Sequence, residues 1–221
     1  MNISLILPTF NEKKNLPILI PLIFKYMPDI EIIIIDDNSP DGTGKLAKEL
    51  SKKYNLKVIH RKRRLGLSTA IVLGFKHAKG DIIGAMDADL SHPPRLIPKM
   101  VACLKKNNAD LVIASRKLKK SRVEGWPFHR RIMSDIASIL AGFLTDVNDP
   151  LSGYFFMRKQ VIKNIKFKSK GYKILLEILK KGKYSKVTEI AYVFRGREFG
   201  SSKLGFKENF MFLIDYYKLV K

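Results

Sequence analysis

The chain has 221 residues, 46% of them hydrophobic and 28% charged, and its single cysteine, Cys103, can form neither an internal disulfide nor a thiolate metal site. This composition supports one packed core and excludes both an intrinsically disordered chain and two large independent domains. Forty-two Lys and Arg against twenty Asp and Glu leave a formal charge of +22, which calls for an anionic partner: nucleic acid, a phosphorylated small molecule or an acidic membrane surface.

The amino terminus, MNISLILPTFNE, has neither a basic n-region nor a small-residue cleavage site, and is expected to enter the fold directly. Short Ile/Val/Leu blocks then alternate with stretches of helical period. Predicted strand Ile3 to Leu7 precedes helix Asn15 to Tyr26; strand Glu31 to Ile35 precedes helix Thr43 to Lys53; strand Lys57 to His60 precedes helix Leu67 to His77. Strand Asp81 to Met86 then precedes helix Arg95 to Lys105, and strand Asp110 to Ala114 follows. The alternation predicts an α/β fold with a mostly parallel central sheet flanked by helices. Past Ser115 the chain turns basic, through Arg116, Lys117, Lys119, Lys120, Arg122, Arg130 and Arg131, and continues into an amphipathic segment from Ile132 to Leu144. A strand at Gly153 to Met157, a helix from about Tyr172 to Lys181, a strand at Lys186 to Phe194 and a terminal helix carrying Phe206, Phe210, Leu213, Tyr217 and Val220 complete the prediction. No Pro/Gly/Ser-rich linker interrupts the chain, so 1–221 reads as one domain, with a nucleotide-binding half at 1–115 and an acceptor-side half at 116–221. No apolar run reaches the ~18 residues of a spanning helix.

Ligands of parallel sheets bind beyond the carboxyl ends of the strands, so the residues after each strand carry the functional signal. Three such stretches are rich in acids and amides: Pro8 to Glu12, Asp36 to Thr43 and Asp87 to Pro94. Asp87 and Asp89 stand two residues apart at a strand end, where the period of two turns both carboxylates to one side. Paired carboxylates repel unless a cation lies between them, and hard oxygen ligands suit Mg²⁺ or Mn²⁺ with a substrate phosphate. Ser91 followed by Pro93 and Pro94 also suits a helix start, and His92 reads as a solvated turn residue. Asp36 to Thr43 suits an Asx-type turn as well as a nucleoside pocket whose carboxylate accepts from a base or a ribose. Arg116, Arg130, Arg131, Arg195, Arg197 and Lys203 are candidates for phosphate contacts.

Taken together, Ile-Leu-Pro-Thr-Phe-Asn-Glu (6–12), Ile-Asp-Asp-Asn-Ser-Pro-Asp-Gly-Thr (35–43), Leu-Gly-Leu-Ser-Thr-Ala (65–70), Met-Asp-Ala-Asp-Leu-Ser-His-Pro-Pro (86–94), Asp-Pro-Leu-Ser-Gly-Tyr (149–154) and Gly-Ser-Ser-Lys-Leu (200–204) resemble a known set. In this order they are similar to the motifs of the dolichyl-phosphate mannose synthases within the family 2 glycosyltransferases. The resemblance implies a GT-A fold, a nucleotide-sugar donor such as GDP-mannose, a Mg²⁺ or Mn²⁺ cofactor and a polyprenyl (dolichyl) phosphate acceptor. It assigns Pro8, Phe10, Glu12, Ile35, Asp37 and Asp41 to the nucleoside pocket and Asp87, Asp89 and Ser91 to the metal. It places Arg116, Arg130, Ser134, Arg197 and Lys203 at donor or acceptor phosphates.

A lipid acceptor requires access to a bilayer. The segment 127–145 joins a basic start to an apolar stripe of Ile132, Met133, Ile136, Ile139, Leu140, Phe143 and Leu144, as an interfacial helix does. The expectation is therefore a cytoplasmic protein, peripheral on the cytoplasmic face of a membrane, with a separate membrane subunit as a further partner. Two other readings stay open: a UDP-sugar donor with a lipid-phosphate or saccharide acceptor, for which Asp149 is the one candidate base, and a nucleic-acid-binding module. The acidic loops oppose the last, because they repel a phosphate backbone, so no nucleic acid is expected.

Overall fold

The computed structural model describes residues 1–106, 109–169, 171, 173–199, 214, 216, 217 and 219. In the first half β1 (Ile3–Thr9), β2 (Glu31–Asp36), β3 (Leu56–His60) and β4 (Ile82–Ala85) are linked by α1 (Leu16–Tyr26), α2 (Thr43–Leu50) and α3 (Leu67–His77). A 3-10 turn at Pro94–Leu96 leads into α4 (Ile97–Lys106) and β5 (Leu111–Ser115). Beyond it come β6 (Arg122–Val123), α5 (Phe128–Gly142), β7 (Phe155–Arg158), α6 (Ile174–Lys181), β8 (Val187–Ala191) and β9 (Val193–Phe194).

Among the described residues the main sheet has seven strands in the order β3-β2-β1-β4-β7-β5-β8, so it draws on both halves of the chain. Its first four strands are parallel, as is the β5–β8 pair. The apolar runs are continuous because both faces of the sheet are covered. Leu5, Leu7, Ile32, Ile34 and Phe156 join one core with Leu19, Ile23 and Met100 of the helices. Their neighbours Ile6, Ile33, Ile35 and Phe155 point the other way, into a second core with Ile71, Phe75, Leu175 and Ile178. Burying each such Ile or Leu stabilises the fold by about 1.5–3 kcal/mol before chain entropy is charged against it.

Three features depart from a simple βα reading. The strand expected at 153–157 lies at Phe155–Arg158 and runs antiparallel between β4 and β5. Gly84 of β4 makes room for it, since a Cβ there would stand 2.4 Å from the Phe156 ring. The strand expected at 186–194 divides at Tyr192: β8 pairs with β5, while β9 pairs with β6 in a separate two-stranded sheet. The β6 strand was hidden because its two residues lie in a stretch whose basic composition carries no alternation.

At the carboxyl end, Ile214, Tyr216, Tyr217 and Leu219 are helical, and Leu219 is buried with Ala141, Leu151 and Leu176. Phe206, Phe210, Leu213 and Val220 lie outside the described residues. No helix among the described residues is long and apolar enough to cross a membrane.

The topology fixes where chemistry can gather. The ends of β1, β2, β4, β5 and β8 all point to one edge of the sheet, and β7, being antiparallel, begins there. The turns after Thr9, Asp36, Ala85, Ser115 and Ala191, and the 149–154 turn before β7, therefore face one crevice.

Candidate active site

On the β1–β2 side, Pro8 lies in register with Ile35, and Ile35 is fully buried. Phe10 follows, with the Arg64 guanidinium 5.2 Å from its ring centre. Asp37 is buried and ion-paired to Arg61. Burial pushes the Asp37 carboxyl upward, against the pull of Arg61 and of the Leu65 backbone N–H. Arg61 also donates to Thr69 Oγ1 at 2.6 Å and to the Gly66 carbonyl at 3.1 Å, clamping the loop before α3 onto the loop after β2. Asp41 accepts from the backbone N–H of Thr43 at 2.9 Å, so the Asx-type turn expected there is realised. Glu12 is buried; it accepts from Asn15 Nδ2 at 2.6 Å and lies 3.7 Å from Arg197 Nη1.

After β4 the chain folds back on itself, with Leu90 at a φ of 65°. The Asp89 carboxylate accepts from Ser91 through both its N–H (3.1 Å) and its hydroxyl (2.5 Å), and Arg197 Nε approaches it at 2.9 Å. Although burial opposes ionisation, Arg197 and Ser91 hold the Asp89 carboxyl below its ordinary value. Burial and the neighbouring Asp89 charge push Asp87 the other way, up to about 7. Gly153, in the turn before β7, leaves space for this group: a Cβ there would come within 3.3 Å of the Asp87 carboxylate.

His92 is not the solvated turn residue expected. It is 2% exposed, stacks on Tyr154 with ring centres 5.1 Å apart, and accepts the Asp87 backbone N–H at Nδ1 (3.2 Å). Burial lowers its pKa to about 4, so the ring is neutral at pH 7 and serves to hold the acidic loop.

The basic wall stands opposite. Arg116, directly after β5, makes a bidentate pair with Asp149, Nε to Oδ2 and Nη2 to Oδ1 both at 2.8 Å, and its backbone N–H donates to the same carboxylate at 2.9 Å. Asp149 is fully buried; against that burial, Arg116 holds its carboxyl below the usual range. The Arg116 guanidinium lies 5.5 Å from the Trp126 ring and 5.9 Å from Phe194, and Arg130 lies 4.4 Å from Trp126. Ser134 follows Arg130 by one turn of α5.

Lys203 and the 200–204 motif lie outside the described residues. Sequence reasoning passed over Lys173, whose ammonium is pushed well below its usual range by burial and then by Arg116, and which also interacts with Asp149 and Asp87. No local pattern marks it; only the approach of α6 to the crevice brings it there.

Among the described residues no group of three or more His, Cys, Asp or Glu side chains could cage a metal. The Asp87, Asp89 and Ser91 set nevertheless fits Mg²⁺ or Mn²⁺, which take one or two carboxylates and complete their shell with water and substrate phosphates. Asp89 already attracts a cationic group, Arg197, and Asp87 is raised by burial and by the Asp89 charge beside it.

The sequence matches the family profile "Glycosyl transferase family 2" over residues 4–174. It is 44% identical over 227 residues to the dolichol-phosphate mannosyltransferase of Pyrococcus furiosus, a match covering 100% of this chain and 64% of that protein. It is 35% identical over 219 residues to the dolichol-phosphate mannosyltransferase of Saccharomyces cerevisiae, covering 92% of this chain and 81% of that one. The chain thus spans less than two thirds of the Pyrococcus relative. Among solved structures it resembles glucosyl-3-phosphoglycerate synthase from Mycobacterium tuberculosis in complex with Mn²⁺, UDP-glucose and phosphoglyceric acid, with a TM-score of 0.70, 18% identity, and coverage of 99% of this chain and 79% of that one. It also resembles S. aureus TarS 1–349 in complex with UDP-GlcNAc, with a TM-score of 0.70, 18% identity, and coverage of 100% and 66%. These likenesses establish the fold, the α/β glycosyltransferase architecture (GT-A) expected from the sequence.

Proposed function

The chain belongs to glycosyl transferase family 2, and we propose that it transfers mannose from GDP-mannose, with inversion at C1, to the phosphate of a polyprenyl lipid such as dolichyl phosphate. The observation that carries this reading is the Arg116–Asp149 pair. A saccharide or alcohol acceptor needs a carboxylate base near C1, and Asp149 was the one candidate. Both oxygens of this fully buried carboxylate are engaged by Arg116, so it is a poor proton acceptor and serves to aim the guanidinium. An acceptor at this site must bring its own ionised oxygen. A phosphate monoester does so, with a second pKa of about 6.

The roles of the side chains follow from their places. Asp37, steadied by Arg61, and Phe10 receive the nucleoside. Asp87, Asp89 and Ser91 hold Mg²⁺ or Mn²⁺, which when bound offsets charge on the departing diphosphate. Arg116, Arg130 and Arg197 draw the lipid phosphate toward the sugar despite the repulsion between two anions. A phosphate oxygen then forms the new bond to C1 as the bond from C1 to the GDP oxygen breaks on the opposite face. No proton needs to move at the nucleophile, so catalysis is positioning and electrostatics.

The relatives named dolichol-phosphate mannosyltransferase support the sugar and the acceptor class. The outer face of α5 supports a membrane surface as a further partner, because Ile132, Met133, Ile136, Ile139 and Phe143 are all exposed beside exposed Lys119, Lys120, Arg122 and Arg131. We place the protein on the cytoplasmic face, where nucleotide sugars and anionic headgroups meet.

The test is GDP release from GDP-mannose by the purified chain with Mn²⁺ or Mg²⁺, with and without dolichyl phosphate, and with EDTA as control. Release that requires both lipid phosphate and metal is the expected result. Turnover of UDP-glucose in place of GDP-mannose would overturn the donor assignment, and release to a saccharide acceptor would overturn the acceptor.

A further inference from the structure

Beside the arginines, three buried side-chain atoms lack a hydrogen-bond partner among the described residues: Trp126 Nε1, Arg130 Nε and the Tyr192 hydroxyl oxygen. Buried polar groups are rarely left unpaired, and each exception needs a reason. These three belong to one cluster. Arg130 covers the Trp126 ring, the Trp126 ring meets the edge of Phe194 at 5.1 Å, and Phe194 meets Tyr192 at 6.4 Å. Arg116 stands over both Trp126 and Phe194. Tyr192 is 6% exposed, and its ring contacts His92 and Tyr154 at 6.0 and 6.2 Å, which brings it against the acidic loop as well.

The set is rich in donors. Indole N–H and guanidinium N–H only donate, and burial raises the Tyr192 phenol above its usual value, keeping its proton in place. A sugar hydroxyl is both donor and acceptor and would leave such a set half matched. A phosphate, whose oxygens only accept, suits it. The crowding of Arg130 by Arg197 and Arg116, which together with burial lowers the Arg130 pKa, is likewise relieved by an anion.

We propose that Trp126 and Tyr192 are substrate-binding residues whose N–H and O–H donate to the non-bridging oxygens of a phosphate held between Arg116 and Arg130. This rests on the glycosyl-transfer reading above and extends it to two neutral donors. The phosphate belongs either to the lipid acceptor or to the donor diphosphate, and binding measurements separate the two.

Tyr192→Phe removes one oxygen and keeps the ring contacts; Trp126→Phe removes the N–H and keeps an aromatic ring against Phe194. For each variant, the affinity for GDP with Mn²⁺ and the affinity for a short-chain isoprenyl phosphate are measured by calorimetry beside the wild type, with a melting curve in the absence of ligand. The expected result is a loss of fivefold or more in affinity for the isoprenyl phosphate, GDP binding within twofold of wild type, and a Tyr192→Phe melting temperature equal to or above wild type, because an unpaired buried hydroxyl has gone. A loss confined to GDP would assign the same clamp to the donor diphosphate. Unchanged affinity for both ligands, or a melting temperature several degrees lower for Tyr192→Phe, would overturn the proposal. Absence of binding by the wild type itself would instead overturn the glycosyl-transfer reading.

Discussion

Asp89 is the residue on which the two sides of the crevice meet, since it takes both Ser91 hydrogen bonds and the approach of Arg197. Asp89→Ala is expected to lower turnover about a thousandfold or more, the scale of losing a directly placed electrostatic contact at a reacting phosphate, while the far-ultraviolet circular dichroism stays unchanged. Asp149→Asn tests a different use of a carboxylate. Arg116 is left buried without its counter-charge, and breaking a buried pair costs about 3–5 kcal/mol, so the urea midpoint falls and turnover falls with it. If Asp149 were instead the general base, turnover in Asp149→Asn would collapse with stability nearly intact. At this scale the sequence disclosed the groups whose function is written in adjacent residues: Asp87, Asp89 and Ser91 share one turn, and Asp37 and Asp41 another. It did not disclose His92, Lys173, Trp126 or Tyr192 as crevice residues. His92 lies in the 86–94 motif but reads there as solvated; the other three stand in unremarkable local contexts and acquire their roles from elements distant in the chain.

Among the elements, α5 leaves large apolar side chains on its outer face. Ala137, Ala141 and Leu144 pack toward Leu151, Leu176 and Leu219, whereas Ile139 is 66% and Phe143 78% exposed on the other side. Replacing Ile139 and Phe143 together by Glu removes two apolar contacts with a bilayer, each contributing about 2 kcal/mol, so binding to vesicles containing anionic phospholipid is expected to fall roughly a hundredfold or more in a sedimentation assay. Wild-type binding should weaken as salt is raised, because Lys119, Lys120, Arg122 and Arg131 contribute by charge. Equal binding by the double variant would mean that this face meets something other than lipid. The segment's amphipathic period was plain in the sequence, as were the first five strands. The antiparallel β7 and the β6–β9 pair were not, because insertion of a late strand between two early ones is decided by packing against Gly84 and Phe156, and a two-residue strand has no period to read.

For the whole molecule, a formal charge of +22 means that stability at low pH is a contest between native carboxylates and general repulsion. Glu177 is a clean probe, since it lies in α6 and is fully buried. It accepts the backbone N–H groups of Lys168 and Ser169 at 2.9 Å each, and the Lys181 ammonium at 2.5 Å. Burial opposes its ionisation, but these bonds prevail and its pKa in the folded state lies below its ordinary value. Asp149 is depressed in the same direction by Arg116. A carboxyl depressed by folding contributes stability that is fully present above its unfolded value and is lost as pH falls through its folded value, because the unfolded chain then binds the extra proton. The urea midpoint of the wild type should therefore drop steeply below about pH 4, more steeply at low salt, where positive charges repel unscreened. Glu177→Gln keeps an acceptor oxygen but has no proton to take up, so its midpoint should start lower at pH 7 and decline less between pH 5 and 3. Parallel curves for the two proteins would mean that Glu177 titrates alike folded and unfolded, and that its tie between α6 and the 168–169 backbone contributes no linkage to the acid transition.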